Sequence, residues 1–283
     1  MTETTDSGRK LFFGLFVFPL LIAIGMAVLL CSVVLMTHED STPESLIVAL
    51  KTSSPSKRWQ KAFELSNEIN RQPGKKQSAL VTREMIQILR DGEHFDAKTR
   101  GYMAIALSHQ DSDEVLSALK QTLSDSEEEL RLYTMWSLGV LGRREVVPDI
   151  EALLADESPA IRKTAAYVLG ALTSKDSDEK LRRLLNDPIA DVRWNAALSL
   201  ARIGNTGGRD VLLSMLERDK LAADLHMDEQ QVEAAMVNAS KGLALIPDAE
   251  SIKILQNISK ADKNLKVRQA ALTALQHMEK ISS

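Results

Sequence analysis

Residues 125 to 204 repeat one pattern three times, and few architectures can accommodate that. DSEEELRLYTMWSLGVLG from Asp125, DESPAIRKTAAYVLGALT from Asp156 and DPIADVRWNAALSLARIG from Asp187 set Arg131, Arg162 and Arg193 at intervals of 31 residues. Each Arg has an Asp six positions before it, a branched apolar residue immediately before it and a Leu seven after. A fixed period of this length marks a supersecondary unit that cannot bury its apolar face alone and therefore stacks on copies of itself. Weaker copies centre on Arg58, Arg100 and Arg268, and in one more Met236 takes the place of the Arg. The seven anchors are separated by 42, 31, 31, 31, 43 and 32 residues, so two intervals carry insertions.

Composition narrows the class. Of 283 residues only 4% are aromatic, the helix formers Ala, Leu, Glu, Lys and Arg dominate, and β-branched runs are missing, so the chain is expected to be all-α. A net charge of −4 offers no basic face for nucleic-acid phosphates. The single cysteine, Cys31, excludes an intramolecular disulfide.

A polar tail, residues 1–10, precedes Leu11–Met36, a run of 26 residues without a charge. That is long enough to cross a hydrocarbon core of roughly 30 Å with some tilt. A cleaved signal peptide would have a shorter apolar region ending at a small-residue site, which is missing here. Leu30 before Cys31 does not suit a lipoprotein site either. The expectation is an uncleaved transmembrane helix over 11–36, a linker over 37–43 and a repeat domain over 44–283. Arg9 and Lys10 before the run, and Glu39 and Asp40 after it, place the N-terminus in the cytoplasm by the positive-inside rule. In a bacterium the repeats would then be periplasmic on the inner membrane; a cytoplasm-facing domain is the alternative.

Within the repeats, short breaks separate a first helix, such as Val147–Leu154 or Asp178–Leu185, from a second that carries the Arg. Ser158 before Pro159 and Asp187 before Pro188 place a capping side chain ahead of a residue suited to a first helical turn. The form D-x-x-x-x-(L/I/V)-R-x-x-A-A-x-x-L-G, as it stands at Asp156 to Gly170, resembles the HEAT-repeat family, in particular its short, phycobilisome-lyase-like type. The resemblance covers about residues 44–280, most clearly in the middle. It implies a solenoid of about seven antiparallel helix pairs in a right-handed superhelix, second helices lining the concave side. It also implies a scaffold that binds protein.

At 100° per residue, the recurring apolar positions −1, +3, +4, +7, +8 and +10 relative to the Arg fall in one arc centred near the Arg itself. The Arg is therefore expected to point inward. A buried guanidinium needs a carboxylate, so Asp125, Arg131, Asp156, Arg162, Asp187, Arg193, Asp262 and Arg268 are assigned to structural pairs, within one repeat or between neighbours.

The opposite arc holds positions +1, +2, +5 and +9. Trp59 and Trp194 stand at +1, Tyr102 and Tyr133 at +2, and Phe63, Trp136 and Tyr167 at +5, where Ile105 and Leu198 complete the first five repeats. If second helices line a groove, these nine residues make an aromatic stripe suited to anchoring a protein partner. If the stack curves tightly, they pack laterally between second helices. The stripe stops at Lys241 and Thr273, so the last two repeats are expected to cap the array or meet something more polar. The insertion DKLAADLHMD, residues 219–228, reads as a solvated extra turn rather than a contact loop, and the connection through Arg71, Gln72, Pro73 and Gly74 as a simple linker.

Nothing marks catalysis. The histidines are scattered, with no pair at the four-residue spacing of a zinc protease, and phosphate loops and nucleophile elbows are missing. Deoxyhypusine hydroxylase, a HEAT-repeat enzyme, holds iron with repeated His-Glu pairs; here His38-Glu39 is the one such pair, and no repeat carries it. No residues mark a bilin site. The expectation is a membrane-anchored scaffold or accessory subunit without metal or cofactor, whose partner is a membrane or envelope protein. A lyase-like or small-ligand-binding protein is the alternative.

Overall fold

The computed structural model describes residues 17–37, 42–72 and 74–282. Residues up to Thr42 and Pro43–Ser283 form two separate compact units. The first contains α1 (Phe18–Thr37). The expected membrane span over 11–36 is not met by it: among the described residues no helix is long and apolar enough to cross a membrane. α1 takes in only the later part of the uncharged run, and the run's start, the polar tail and most of the 37–43 linker lie outside the described residues.

Among its described residues the second unit is built of helices joined by short turns, with no strand. Its helix pairs are α2 (Pro43–Thr52) with α3 (Pro55–Asn70), α4 (Ala79–Arg90) with α5 (Ala97–Leu107), and α6 (Asp113–Thr122) with α7 (Glu128–Leu141). Next come α8 (Val147–Ala152) with α9 (Pro159–Ala171) and α10 (Asp178–Arg183) with α11 (Ala190–Arg202). In the sixth pair α13 (Arg218–Asp224) intervenes between α12 (Arg209–Ser214) and α14 (Glu229–Leu243); α15 (Ala249–Ala261) with α16 (Leu265–Ser282) close the series. Local chemistry starts these helices. The side chains of Ser78, Asp96, Ser112, Ser158 and Asp248 accept first-turn N–H groups, and Asp228 with Gln231 forms a capping box. Gly142, at φ 74°, ends α7 in the left-handed conformation that glycine adopts without strain.

Second helices pack on one another at every step from α3 to α16. Two bare backbones permit this: the Tyr133 ring lies on Gly101, and Ser199 lies on Gly170 and donates a 2.8 Å hydrogen bond to the Ala166 carbonyl. Between the layers runs a core of buried aliphatic side chains, from Leu50, Leu65 and Met85 to Leu138, Leu169 and Leu200. It continues through Leu212, Met236, Leu255 and Met278.

The repeat Asp performs two tasks. One carboxylate oxygen accepts the N–H two residues ahead, making the turn into the second helix: Asp125 from Glu127, Asp156 from Ser158, Asp187 from Ile189 and Asp262 from Asn264. This moves one expected helix start, because Asp187 shapes the turn and Pro188 stays outside α11, whose N-cap is Ile189. The carboxylate also receives the Arg of the preceding repeat. Arg100 Nη2 reaches Asp125 Oδ2 at 2.7 Å, and Arg162 grips Asp187 through Nε at 2.8 Å and Nη2 at 3.1 Å. Arg131 to Asp156 is looser at 3.7 Å, leaving the buried Arg131 Nε without a partner. Within its own repeat the Arg instead donates to the main-chain carbonyl of the Asp, at 2.9, 2.8 and 2.7 Å for Arg131, Arg162 and Arg193. The pairs are thus rungs between repeats, and Arg100, 6% exposed, shows how far inward they sit.

Two assignments need correction. Asp262 does not serve Arg268; it takes Arg218 at 2.7 Å, the first residue of α13, immediately before the sixth-repeat insertion. Among the described residues Arg193 has no carboxylate rung, because Asp187 is occupied by Arg162 and Gln230 stands six positions before Met236 in the following repeat. Arg218 thereby supplies the guanidinium missing where Met236 replaces the Arg. The connection near residue 73 is also more than a linker: the buried Gln110 side chain accepts from Gln77 N–H at 2.9 Å and donates to the Lys75 carbonyl. Pro73 lies outside the described residues.

Candidate partner-binding groove

The stripe forms, but as two stacked runs rather than a free surface. Phe63 meets Tyr102 edge-on at 5.3 Å between ring centroids, and Tyr102 lies against Tyr133 at 5.8 Å. Trp136 lies against Tyr167 at 5.0 Å. Position +2 turns sideways into the neighbouring second helix, where burial pushes the Tyr133 phenol pKa up. Trp59 carries the Lys98 ammonium 3.7 Å from its ring centroid, and Tyr167 carries the Arg202 guanidinium at 4.9 Å. Of the nine residues only Phe63 (45%) and Trp136 (49%) are exposed; the other seven are half-buried. Lateral packing and an open face therefore coexist, a mixture that a single helical wheel does not represent.

Four of the nine converge on one cavity. Trp136, Tyr167, Trp194 and Leu198, from α7, α9 and α11, line a groove of about 630 Å³. Trp59, Phe63, Tyr102, Ile105 and Tyr133 are not part of it. Residues not singled out from the sequence complete the walls: Leu132, Asn195 and Asn238 on the second helices, and Met215 and Met227 from outside those helices. Leu132 and Asn195 could have been found, since they occupy the outward +1 and +2 positions. Met227 carried no signal, because it belongs to the insertion. That insertion is largely the solvated extra turn expected, but it is anchored: α13 buries Leu221, and beyond His226, at φ 52°, the chain brings the half-buried Met227 to the groove.

The groove is close to neutral. Lys163 and Asp191 at its edge pair at 3.3 Å, and the remaining polar lining consists of a threonine and amides. A cavity of this size, with aromatic walls and a few polar groups, holds apolar side chains or a compact apolar molecule. Among the described residues no group of three or more His, Cys, Asp or Glu side chains could hold a metal ion.

Comparison with known proteins agrees with this geometry at the level of the fold. Residues 116–191 and 148–226 match the HEAT-repeat family profile, so this stretch consists of HEAT-like repeats. The solved complex of CpcE and CpcF of phycocyanin lyase from Nostoc sp. PCC7120 is similar at a TM-score of 0.55 with 17% identity, over 86% of this chain and 96% of that one. An archaeal HEAT-like repeats protein from Thermococcus onnurineus NA1 gives 0.47 and 15%, over 87% and 100%. A designed armadillo repeat protein gives 0.38 and 18%, over 83% and 99%. No curated protein sequence matches the chain.

Proposed function

We propose that this α-solenoid is a scaffold that grips a protein partner in the groove along its second helices. The observation that carries the reading is Trp136, half exposed yet held in place by Tyr167, at the mouth of a cavity of about 630 Å³. A rigid, partly desolvated Trp offers large contact area at small entropic loss, as binding hot spots do. In-cell crosslinking and pull-down should recover a partner with the wild-type chain. Trp136→Ala with Tyr167→Ala should weaken its capture by about 30-fold or more, the scale of at least one hot-spot truncation of about 2 kcal/mol. The melting temperature should fall by several degrees, since Tyr167 packs against the buried core, and retained helicity at the assay temperature separates lost capture from lost fold. Undiminished capture would return these rings to a purely packing role.

Tethering to a membrane belongs to the same proposal and rests on the uncharged run Leu11–Met36. With Arg9 and Lys10 on its N-terminal side, the repeats would lie beyond a bacterial inner membrane and meet a membrane or envelope protein there. The full chain should remain in the membrane fraction after an alkaline carbonate wash, whereas a chain starting at Pro43 should not. Release of the full chain by the wash refutes the tether. A small apolar ligand is the second reading, favoured by the cavity volume; a chromophore or lipid co-purifying with the chain would establish it.

A further inference from the structure

The groove does not end where the aromatic residues end. Ala234 and Asn238 of α14 line the 630 Å³ cavity and also a second one of about 590 Å³ between α14 and α16. The second cavity uses the same outward positions: Val237 and Lys241 on α14 with Leu245 in the turn after it, and Gln269, Thr273 and His277 on α16. The absence of aromatics at 241 and 273 led to an expected stop or cap; what changes instead is the chemistry. Val237, Ala244, Leu245 and Ala270 give an apolar floor, and the rim is cationic. Lys266 is neutralised by Glu233 at 2.8 Å, which Asn264 also bonds. Lys241 has no ionic partner among the described residues, and the His277 ring stands beside the same cavity.

We infer that the occupant of this cleft is an extended polypeptide segment, with bulky apolar residues over Trp136, Tyr167 and Trp194 and an acidic residue at Lys241. This rests on the scaffold reading and specifies its partner. Length favours a chain over a small ligand. From Trp136 to His277 the cleft crosses five successive second helices, about 36 Å at a spacing of about 9 Å, which is the reach of about eleven extended residues. Charge fixes the order, because the aromatic cavity is neutral and the unpaired ammonium lies only at the other. Where the cavities meet, the Asn238 amide, free of side-chain hydrogen bonds among the described residues, offers the donor and acceptor that an exposed main chain requires.

A library of displayed random 12-residue peptides, panned against the purified full chain, tests this. Wild type should select peptides with clustered Phe, Leu or Trp and an Asp or Glu several residues to one side. Lys241→Glu should shift the selected charge to Lys or Arg and weaken the acidic peptides at least tenfold, while leaving the apolar cluster in place. Trp136→Ala should remove the apolar cluster. An identical charge preference for wild type and Lys241→Glu, with selection still lost in Trp136→Ala, overturns the inference while the scaffold reading stands. No peptide enriched over the Trp136→Ala plus Lys241→Glu chain, or binding of dodecanoate in place of peptides, overturns both.

Discussion

Arg162→Ala should destabilise the repeat domain by about 3 kcal/mol, the scale for removing one member of a largely buried, hydrogen-bonded ion pair. The Arg162 guanidinium holds Asp187 through two hydrogen bonds and also donates to the Asp156 and Glu157 carbonyls at 2.8 and 2.9 Å. Its removal strands a carboxylate whose side chain is only 5% exposed. Arg131→Ala, whose carboxylate contact is 3.7 Å, should cost about 1 kcal/mol, the scale of an ordinary hydrogen bond. Urea unfolding at pH 7 measures both, and equal losses would mean that the carboxylate is not what the Arg serves. Acid separates the causes further. The hydrogen bonds from Arg162, opposed by burial and helped by the Ile189 N–H, hold the Asp187 carboxyl below the usual carboxylate range. A carboxylate depressed on folding contributes its stability above its unfolded pKa of about 3.9 and loses it as pH falls through the folded value. The gap between wild type and Arg162→Ala should therefore narrow as pH falls below about 4.

Gly170→Ala should be at least as damaging, about 3 kcal/mol, although alanine is ordinarily the better helix residue by about 1 kcal/mol. A Cβ at Gly170 would lie 2.3 Å from Ser199 Oγ and 2.8 Å from Ser199 Cα. The hydroxyl can turn away but the backbone of α11 cannot, so α9 and α11 must separate, and the Ser199 hydrogen bond to Ala166 goes with them. Gly139→Ala is the control: its Cβ would meet only the Val168 side chain at 3.4 Å, and stability should stay within about 1 kcal/mol of wild type. Thermal melts of the two variants settle the point. A harmless Gly170→Ala would mean that the second helices do not approach as closely as described.

Both variants act at contacts between repeats, and this is where the sequence was least legible. The arc centred on the Arg placed the guanidinium inward, and the 31-residue period counted the helix pairs, because both follow from geometry within one unit. Which Asp each Arg meets depends on how far one unit is displaced when it stacks on the next. That offset sends Arg162 forward to Asp187 rather than back to Asp156.

The repeat unit, the number of helix pairs and the inward face were legible in the chain alone, since helical period is a short-range property; the turns were so only in part, because Asp187 shapes the turn and leaves Pro188 outside α11. Tertiary structure decided which outward residues are free. Tyr102 and Tyr133 turned sideways because glycine at 101 let the second helices close up, whereas Trp136 stayed open at the cavity mouth. Stacking also decided what the sixth-repeat insertion and its flank do, with Arg218 just before it replacing a missing rung and Met227 within it walling the groove. These depend on residues far apart in the chain meeting across a repeat interface, and no periodicity records such a meeting.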